Sequence, residues 1–390
     1  MPTGTTTTAN FSVTPQVLLE AVREALPGMK VLGGLGIIIV NSSLPTSDKY
    51  AGETVTVPYL AHIGEWAEYA QNATMDVTQM SDSSETSTLA RAGKAFTITD
   101  MARILRGYAQ PMEAGKQMIQ DGLATYVERK AIAAMVALGN AIPSIKVSVH
   151  SATTPRYYDR DLHVAVRSRF GDETKGIVGT VMHSQAINRM LTLKDADGKP
   201  LHDLLEQDDD AGVYTFKGLG RFYASDLMPV TYTVASSGTS PPALTIVGSP
   251  KGMYDQIKVT VQNAASVAGG AATINISIDG GATTLLGAVA VPADGIVDRS
   301  SDLGLVFSFN AAGTFNANNV YTSRGKTVSA TCKRGAGVFW HNNMGPGAES
   351  QRDVLKKNEI IAADVLGATH LYKKMNGGTR PGIALGEFNI

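Results

Sequence analysis

Apolar and polar residues alternate in two places within the first hundred positions, at Thr54-Val55-Thr56-Val57 and at Lys94-Ala95-Phe96-Thr97-Ile98-Thr99. Period-two alternation predicts strands. The polar stretch between them contains no Gly-Asn or Pro-Gly turn, so residues 52–100 read as a long hairpin with nothing of its own to pin it. Beyond it the period changes. Ile119, Leu123, Tyr126, Val127, Ala131, Met135 and Leu138 recur at spacings of three and four, and Glu113, Lys116, Gln120, Asp121, Glu128 and Arg129 are assigned to other faces. Pro111 favours a helix start, and Gly139 with Pro143 supplies a stop. The pattern predicts one helix over 111–138, about 28 residues and roughly 42 Å long at the helical rise.

A compact α/β pattern follows. Asp159 or Asp161 can cap a helix carrying Leu162, Ala165, Val166 and Phe170; residues 176–182 make a buried-strand candidate; Ser184 can cap a second helix through Ile187 and Leu191; and residues 217–224 suggest another strand. From Thr231 to about Thr327 the chain turns rich in Ala, Gly, Thr and Val, with short strand-like runs punctuated by Gly269-Gly270, Asp279-Gly280-Gly281 and Asp294-Gly295. Short strands at near-regular spacing predict an antiparallel sandwich, immunoglobulin-like in pattern. Because α/β-type sequence resumes after it, the sandwich reads as an insertion. The first fifty residues, Thr-rich and then Gly-rich, read as an arm.

Composition narrows the function. The 34 Lys and Arg against 35 Asp and Glu leave a formal charge of -1, which marks neither a strongly basic nucleic-acid binder nor an acidic tail. Cys332, the one cysteine, excludes an internal disulfide and a Cys-rich zinc site. The start, MPTGTTTTANFS, has no basic n-region or apolar h-region, and Gly36-Ile-Ile-Ile-Val40 is too short to span a bilayer, so an intracellular product with no membrane partner is expected.

Catalytic chemistry finds little support. His183 and Ser184 are adjacent and do not face one another, so a strand end and a helix cap explain them. The seven histidines show no HxxxH or HxH spacing. Asp208-Asp209-Asp210 lacks the alternating ligands of a calcium loop, and Gly33-Gly34-Leu35-Gly36 has no Lys-Ser/Thr after it and reads as part of the arm. No enzyme and no cofactor is expected. A carbohydrate-active or adhesive protein would need a paired carboxylate or an aromatic platform, and the sequence offers neither.

The order of parts carries more. Gly52-Glu-Thr-Val-Thr-Val-Pro58, the strand Lys94 to Thr99, the helix Pro111 to Gly139, the strand Lys217 to Pro229 ending in Asp-Leu-x-Pro, Gly345-Pro-Gly347 with Glu349 to Asp353, and Glu359 to Asp364 together resemble the HK97-fold major capsid proteins of tailed double-stranded DNA bacteriophages. The resemblance implies an α+β fold. Its parts are an N-terminal arm (1–51), an E-loop (52–100), a P-domain (101–157 and 345–390) with spine helix 111–138, an A-domain (158–230 and 328–344), and the inserted immunoglobulin-like sandwich (231–327). It implies that the hairpin lies across a neighbouring subunit, with Glu65, Trp66, Glu68, Tyr69, Arg91 and Lys94 as contact residues. The function implied is an icosahedral shell of hexamers and pentamers, located in the virion and assembled in the host bacterial cytoplasm. Its partners would be a separate scaffolding protein, a portal protein, a decoration protein, and packaged double-stranded DNA held without sequence-specific binding. The alternative is the shell of an encapsulin-like nanocompartment.

Overall fold

The computed structural model describes residues 31–41, 54–60, 82–99, 109–151, 154–194, 197, 199–200, 202–208, 212–252, 254, 256–278, 281, 283–341, 347–353, 358–373 and 382–390. Helices and many strands coexist, so the class is α+β. Contacts divide the chain into two units, one from 1–138 with 334–382 and the other from 139–333 with 383–390. This division places 334–344 with the first unit and 383–390 with the second, whereas the sequence reading put both on the opposite sides.

The first unit is built on a five-stranded sheet. Ile38–Asn41 runs parallel to Gly337–His341; that strand pairs antiparallel with Asn358–Leu371, which also pairs with Gly347–Asp353 and with Ala90–Thr99. Residues 33–36 are thus not a free arm. Gly36 adopts φ +65 to close a turn, and Leu32, Ile37 and Ile38 are buried on either side of it. Three apolar side chains leaving water are enough to hold this short segment against the sheet. The rest of the proposed arm, 1–30 and 42–51, lies outside the described residues.

The spine is a helix of 33 residues, Ala109–Ala141 (α1). Ala124, Val127, Ala131, Ile132, Met135 and Leu138 form its buried stripe; of the predicted positions Val127, Ala131, Met135 and Leu138 are buried, Leu123 and Tyr126 are half-buried, and Ala124 and Ile132 fall outside the predicted set. Two details differ from the expected pattern. Glu128 lies inside, 1% exposed, and accepts a hydrogen bond from the Val31 backbone N–H at 3.2 Å. Gly139 does not stop the helix; a Cβ there would come within 2.1 Å of the Leu385 side chain, so glycine lets that side chain pack close against the helix. Helical hydrogen bonding ends at Ala141, just before a 3-10 turn over Pro143–Ile145.

The second unit contains an eleven-stranded sheet running Thr283–Ala290, Thr273–Ile278, Ile257–Val261, Val320–Lys333, Ile177–Met182, Gly220–Ala224, Val213–Phe216, Leu204–Asp208. Val230–Ser237 and Ile383–Asn389 also pair with Val320–Lys333, and Lys146–Ser148 runs parallel to Ile383–Asn389. Two helices, Arg160–Ser168 (α2) and Ser184–Thr192 (α3), supply Leu162, Val166, Ala186, Ile187 and Met190 to a core with Tyr158, Phe170, Phe216, Phe222 and Phe388. Asp159 caps α2, its carboxylate accepting from Leu162 N–H at 2.7 Å. Residues 217–219, expected within a strand, instead form the turn of a hairpin between Val213–Phe216 and Gly220–Ala224, where Gly218 and Gly220 have positive φ.

The insertion is a sandwich with its own core. One layer is the outer part of the long sheet, and the other is Leu244–Gly248, Leu305–Phe309 and Ile296–Arg299. Ile246, Val259, Val267, Ile274, Ile276, Phe307, Phe309, Phe315 and Tyr321 pack between them. The 14-residue strand Val320–Lys333 runs through both neighbourhoods, pairing first with sandwich strands and then with Ile177–Met182 and Ile383–Asn389.

Candidate functional site

The hairpin is the first candidate. Thr54–Leu60 pairs antiparallel with Asp82–Thr88, in register from Thr54↔Thr88 to Leu60↔Asp82, and the two form a sheet by themselves. The expected return strand was Lys94 to Thr99. That segment instead belongs to Ala90–Thr99, in register with Asn358–Leu371. The true return strand, DSSETST, has no apolar residue and therefore no hydrophobic alternation to betray it.

One face of this ribbon is held by side chains of the first unit. Val55 is fully buried in a cluster with Val338, Trp340 and Ala368, and Val57, Leu89 and Tyr372 pack around it. Opposite Val57 and Val55 in the ladder stand Glu85 and Ser87. Ser87 Oγ lies 2.7 Å from His370 Nδ1, and Glu85 Oε2 lies 3.1 Å from His370 Nε2 without the alignment of a hydrogen bond. The Lys373 backbone N–H donates to the same carboxylate oxygen at 3.4 Å. Trp340 stacks on the His370 ring at 5.8 Å, and Tyr372 meets it edge-on at 5.2 Å. Burial lowers the pKa of His370, with the Glu85 charge opposing that shift. A buried carboxylate and imidazole persist only where partners compensate their desolvation, so this polar seat fixes where the ribbon sits. Ala368, His370 and Tyr372 alternate on one face of their strand, which is the sequence signal that could have found them.

Of the proposed contact residues, Glu65, Trp66, Glu68 and Tyr69 lie outside the described residues. Arg91 and Lys94 are exposed and stand opposite Leu366 and Ala363 of the Asn358–Leu371 strand, not in the hairpin ladder.

The second candidate is His183, which is fully buried. Its Nδ1 accepts from Gln185 N–H at 3.2 Å, making His183, not the expected Ser184, the cap of α3. A ring that accepts at Nδ1 carries its proton on Nε2, and Nε2 lies 2.8 Å from Ser249 Oγ. The imidazole therefore donates to Ser249 and cannot take its proton, which is the reverse of a serine–base pair. Burial keeps the His183 pKa low, with Asp226 opposing. Ser184 donates to Asp226 and occupies the first turn of α3. The geometry joins the start of α3 to the turn at Ser249.

Among the described residues no three His, Cys, Asp or Glu side chains group as a metal site, and no helix is long and apolar enough to cross a membrane. The first residues of the acidic run, Glu206 and Asp208, lie on the exposed edge strand Leu204–Asp208.

No family model matches the chain, and no curated protein matches it. Solved structures similar to it include "Capsid of Ralstonia phage GP4", 7% identical, TM-score 0.49, over 90% of this chain and 87% of that one. Others are "Capsid of empty GTA particle computed with C5 symmetry", 11% identical, TM-score 0.46, over 93% and 90%, and a structure from Gordonia phage Cozz, 10% identical, TM-score 0.45, over 90% and 84%. Likeness this distant carries no argument about activity, which has to come from the chain's own elements.

Proposed function

We propose that this chain is the major shell-forming protein of a tailed-phage head, many copies of which enclose double-stranded DNA. The observation that carries the reading is the ribbon Thr54–Leu60/Asp82–Thr88, a two-stranded sheet of its own that the first unit grips through Val55, Glu85, Ser87 and His370. An isolated two-stranded ribbon is marginally stable, so a ribbon this firmly seated at one face suits an arm that finds further partners in another copy. The order of elements supports the same reading: ribbon, 33-residue helix, α/β layer, inserted sandwich, then the strands Gly347–Asp353 and Asn358–Leu371 returning to the first unit's sheet.

The role is structural and not catalytic, in keeping with the donor state of His183. A near-balanced charge suits a wall that encloses nucleic acid without gripping its phosphates. The proposed parts are an N-terminal arm within 1–51, of which 31–41 is bound to the first unit, an E-loop within 52–100 whose last strand Ala90–Thr99 joins that unit's sheet, and P- and A-domains that follow the two units. The insertion is proposed as an immunoglobulin-like module facing outward, where it takes no genome volume. Proposed partners are further copies in hexamers and pentamers, a separate scaffolding protein, a portal and a decoration protein. The location is the virion, after assembly in the host cytoplasm.

Expression with and without neighbouring phage genes, followed by negative-stain microscopy and sedimentation, tests the reading. Closed shells that fill with DNA support it. Closed shells that instead enclose a co-encoded cargo protein assign the chain to a nanocompartment, and a chain that stays monomeric under every condition refutes both.

A further inference from the structure

The sandwich is joined to the α/β layer by two adjacent strands. Val230 pairs with Thr327 and Ser237 with Val320, so the chain enters and leaves the insertion through one antiparallel ribbon. On its other edge Val320–Lys333 pairs with Ile257–Val261 up to Ser323 and with Ile383–Asn389 from Lys326, so the sheet narrows to two laddered strands only at Arg324 and Gly325. Two-stranded stretches twist most strongly, and this narrowing is where the inserted module can change its inclination.

A second point of attachment lies off that ribbon. The strand Leu244–Gly248 ends in a turn where Gly248 has φ +126 and Gly304 has φ +74. A Cβ on Gly248 would come within 2.2 Å of Gly304 O, and one on Gly304 within 2.0 Å of Ser249 O, so the two backbones approach too closely for any residue but glycine. Lys251 N–H donates to Leu303 O at 3.1 Å and Lys251 Nζ to Ser301 O at 2.6 Å, bracing the same turn from its far side. This turn presents Ser249 Oγ to His183 Nε2. His183 is itself fixed, fully buried and committed at Nδ1 to the first turn of α3. Beside it Ser184 is tied to Asp226, in the loop that leads to the entry strand.

We propose that His183 and Ser249 form a latch that sets the orientation of the inserted sandwich on the α/β layer, with His183 as the positioning residue. One imidazole does both jobs: its acceptor nitrogen caps a helix of the layer, and its donor nitrogen holds a rigid turn of the module. A hydrogen bond from a buried ring to a braced turn adds a fixed point away from the narrowed sheet and so limits bending and twisting there. The inference rests on these contacts and stands whether or not the chain builds a shell.

Two substitutions separate the functions of the ring. H183N keeps a strong helix-capping oxygen but is too short to reach Ser249; S249A removes the acceptor and leaves the cap untouched. Spin labels go on V164C in α2 and I296C in the module, at positions 58% and 44% exposed. Cys332 can stay, because it is fully buried and burial pushes its thiol pKa up to about 12. Pulsed electron resonance on the full chain then reads the distance between module and layer. The latch predicts one narrow distance in the parent and a broadened distribution in both variants, with circular dichroism melts confirming that each remains folded. A distribution that stays narrow in both variants overturns the proposal, because the ribbon alone would then set the orientation. Broadening in H183N but not in S249A overturns it as well, because the effect would then belong to the helix cap.

Discussion

At the scale of single residues, ionisable groups inside the second unit set how its stability responds to acid. Burial would raise the pKa of Glu387, but hydrogen bonds from Lys326, Ser148 and Lys146 outweigh it and bring the carboxyl to about 2. Its oxygen lies 2.8 Å from Lys326 Nζ and 3.2 Å from Lys146 Nζ, so it joins three strands. A depressed carboxyl pKa contributes stability that is complete above the ordinary value of 4.5 and is lost as pH falls toward about 2. E387Q should lower neutral-pH stability by about 1–2 kcal/mol after solvent screening, and it should flatten the stability curve across that window. Urea unfolding at several pH values reads both effects; an unchanged curve would remove Glu387 from the account. His163 also loses stability in acid, but because burial favours its neutral form. Burial, then the Arg167 charge, lowers its pKa to about 4, while Nδ1 lies 2.9 Å from the Tyr158 hydroxyl. The unfolded chain takes up a proton near the ordinary value of 6.5 and the folded one does not, so stability falls as pH drops from 6.5 to about 4 and levels below. H163Q should remove that part of the slope. A slope that persists in full would place it on other groups.

At the scale of elements, the insertion is a unit in its own right. Its core residues all fall between Leu244 and Tyr321, and the Val230↔Thr327 pairing brings its two ends together. The segment 230–327, expressed alone, should melt cooperatively by circular dichroism, and the chain with that segment replaced by a short turn should keep the fold of the rest. A gradual, featureless melt would show that the sandwich depends on the layer beneath it. The sequence made such elements legible wherever burial imposes a period. The stripe of α1 and the sandwich strands carry that signature, because one face of each is dry, and the Asp159 cap is legible as a carboxylate ahead of an apolar run. It failed where polar partners replace the apolar face. DSSETST is a strand because Thr54–Leu60 supplies its ladder and His370 its side-chain partner, and neither is visible in a local pattern. Glu128 reads as a surface residue until the Val31 N–H is known to reach it, and His183 displaced Ser184 as the cap because an imidazole nitrogen can also accept from a backbone N–H. Four of the six proposed contact residues fall outside the described residues, and the two that are described belong to a different strand pair.

At the scale of the whole molecule, the proposed shell makes the hairpin dispensable for folding and necessary for assembly. On that reading the apolar groups of 61–81, Trp66 and Tyr69 among them, meet another copy, so removing that stretch should cost the subunit little apolar burial. The base must be kept. Val55, Glu85 and Ser87 belong to the first unit's packing, and a cut reaching into Asp82–Thr88 would strip partners from His370 and the Lys373 N–H. A buried polar group left unpaired costs about 1–3 kcal/mol, so such a cut would confuse a folding defect with an assembly defect. Replacing 61–81 alone by a short Gly-containing turn should therefore give a subunit with a near-parental melting curve that fails to sediment as shells. W66A in the intact hairpin should weaken assembly in the same direction, since an aromatic anchor at the centre of an interface commonly contributes about 2 kcal/mol or more. Circular dichroism of the subunit and sedimentation of the assembly products, run side by side, decide the matter. Normal shells from the shortened chain would deny the hairpin its role between copies, and a shortened chain that no longer folds would return 61–81 to the subunit's own core.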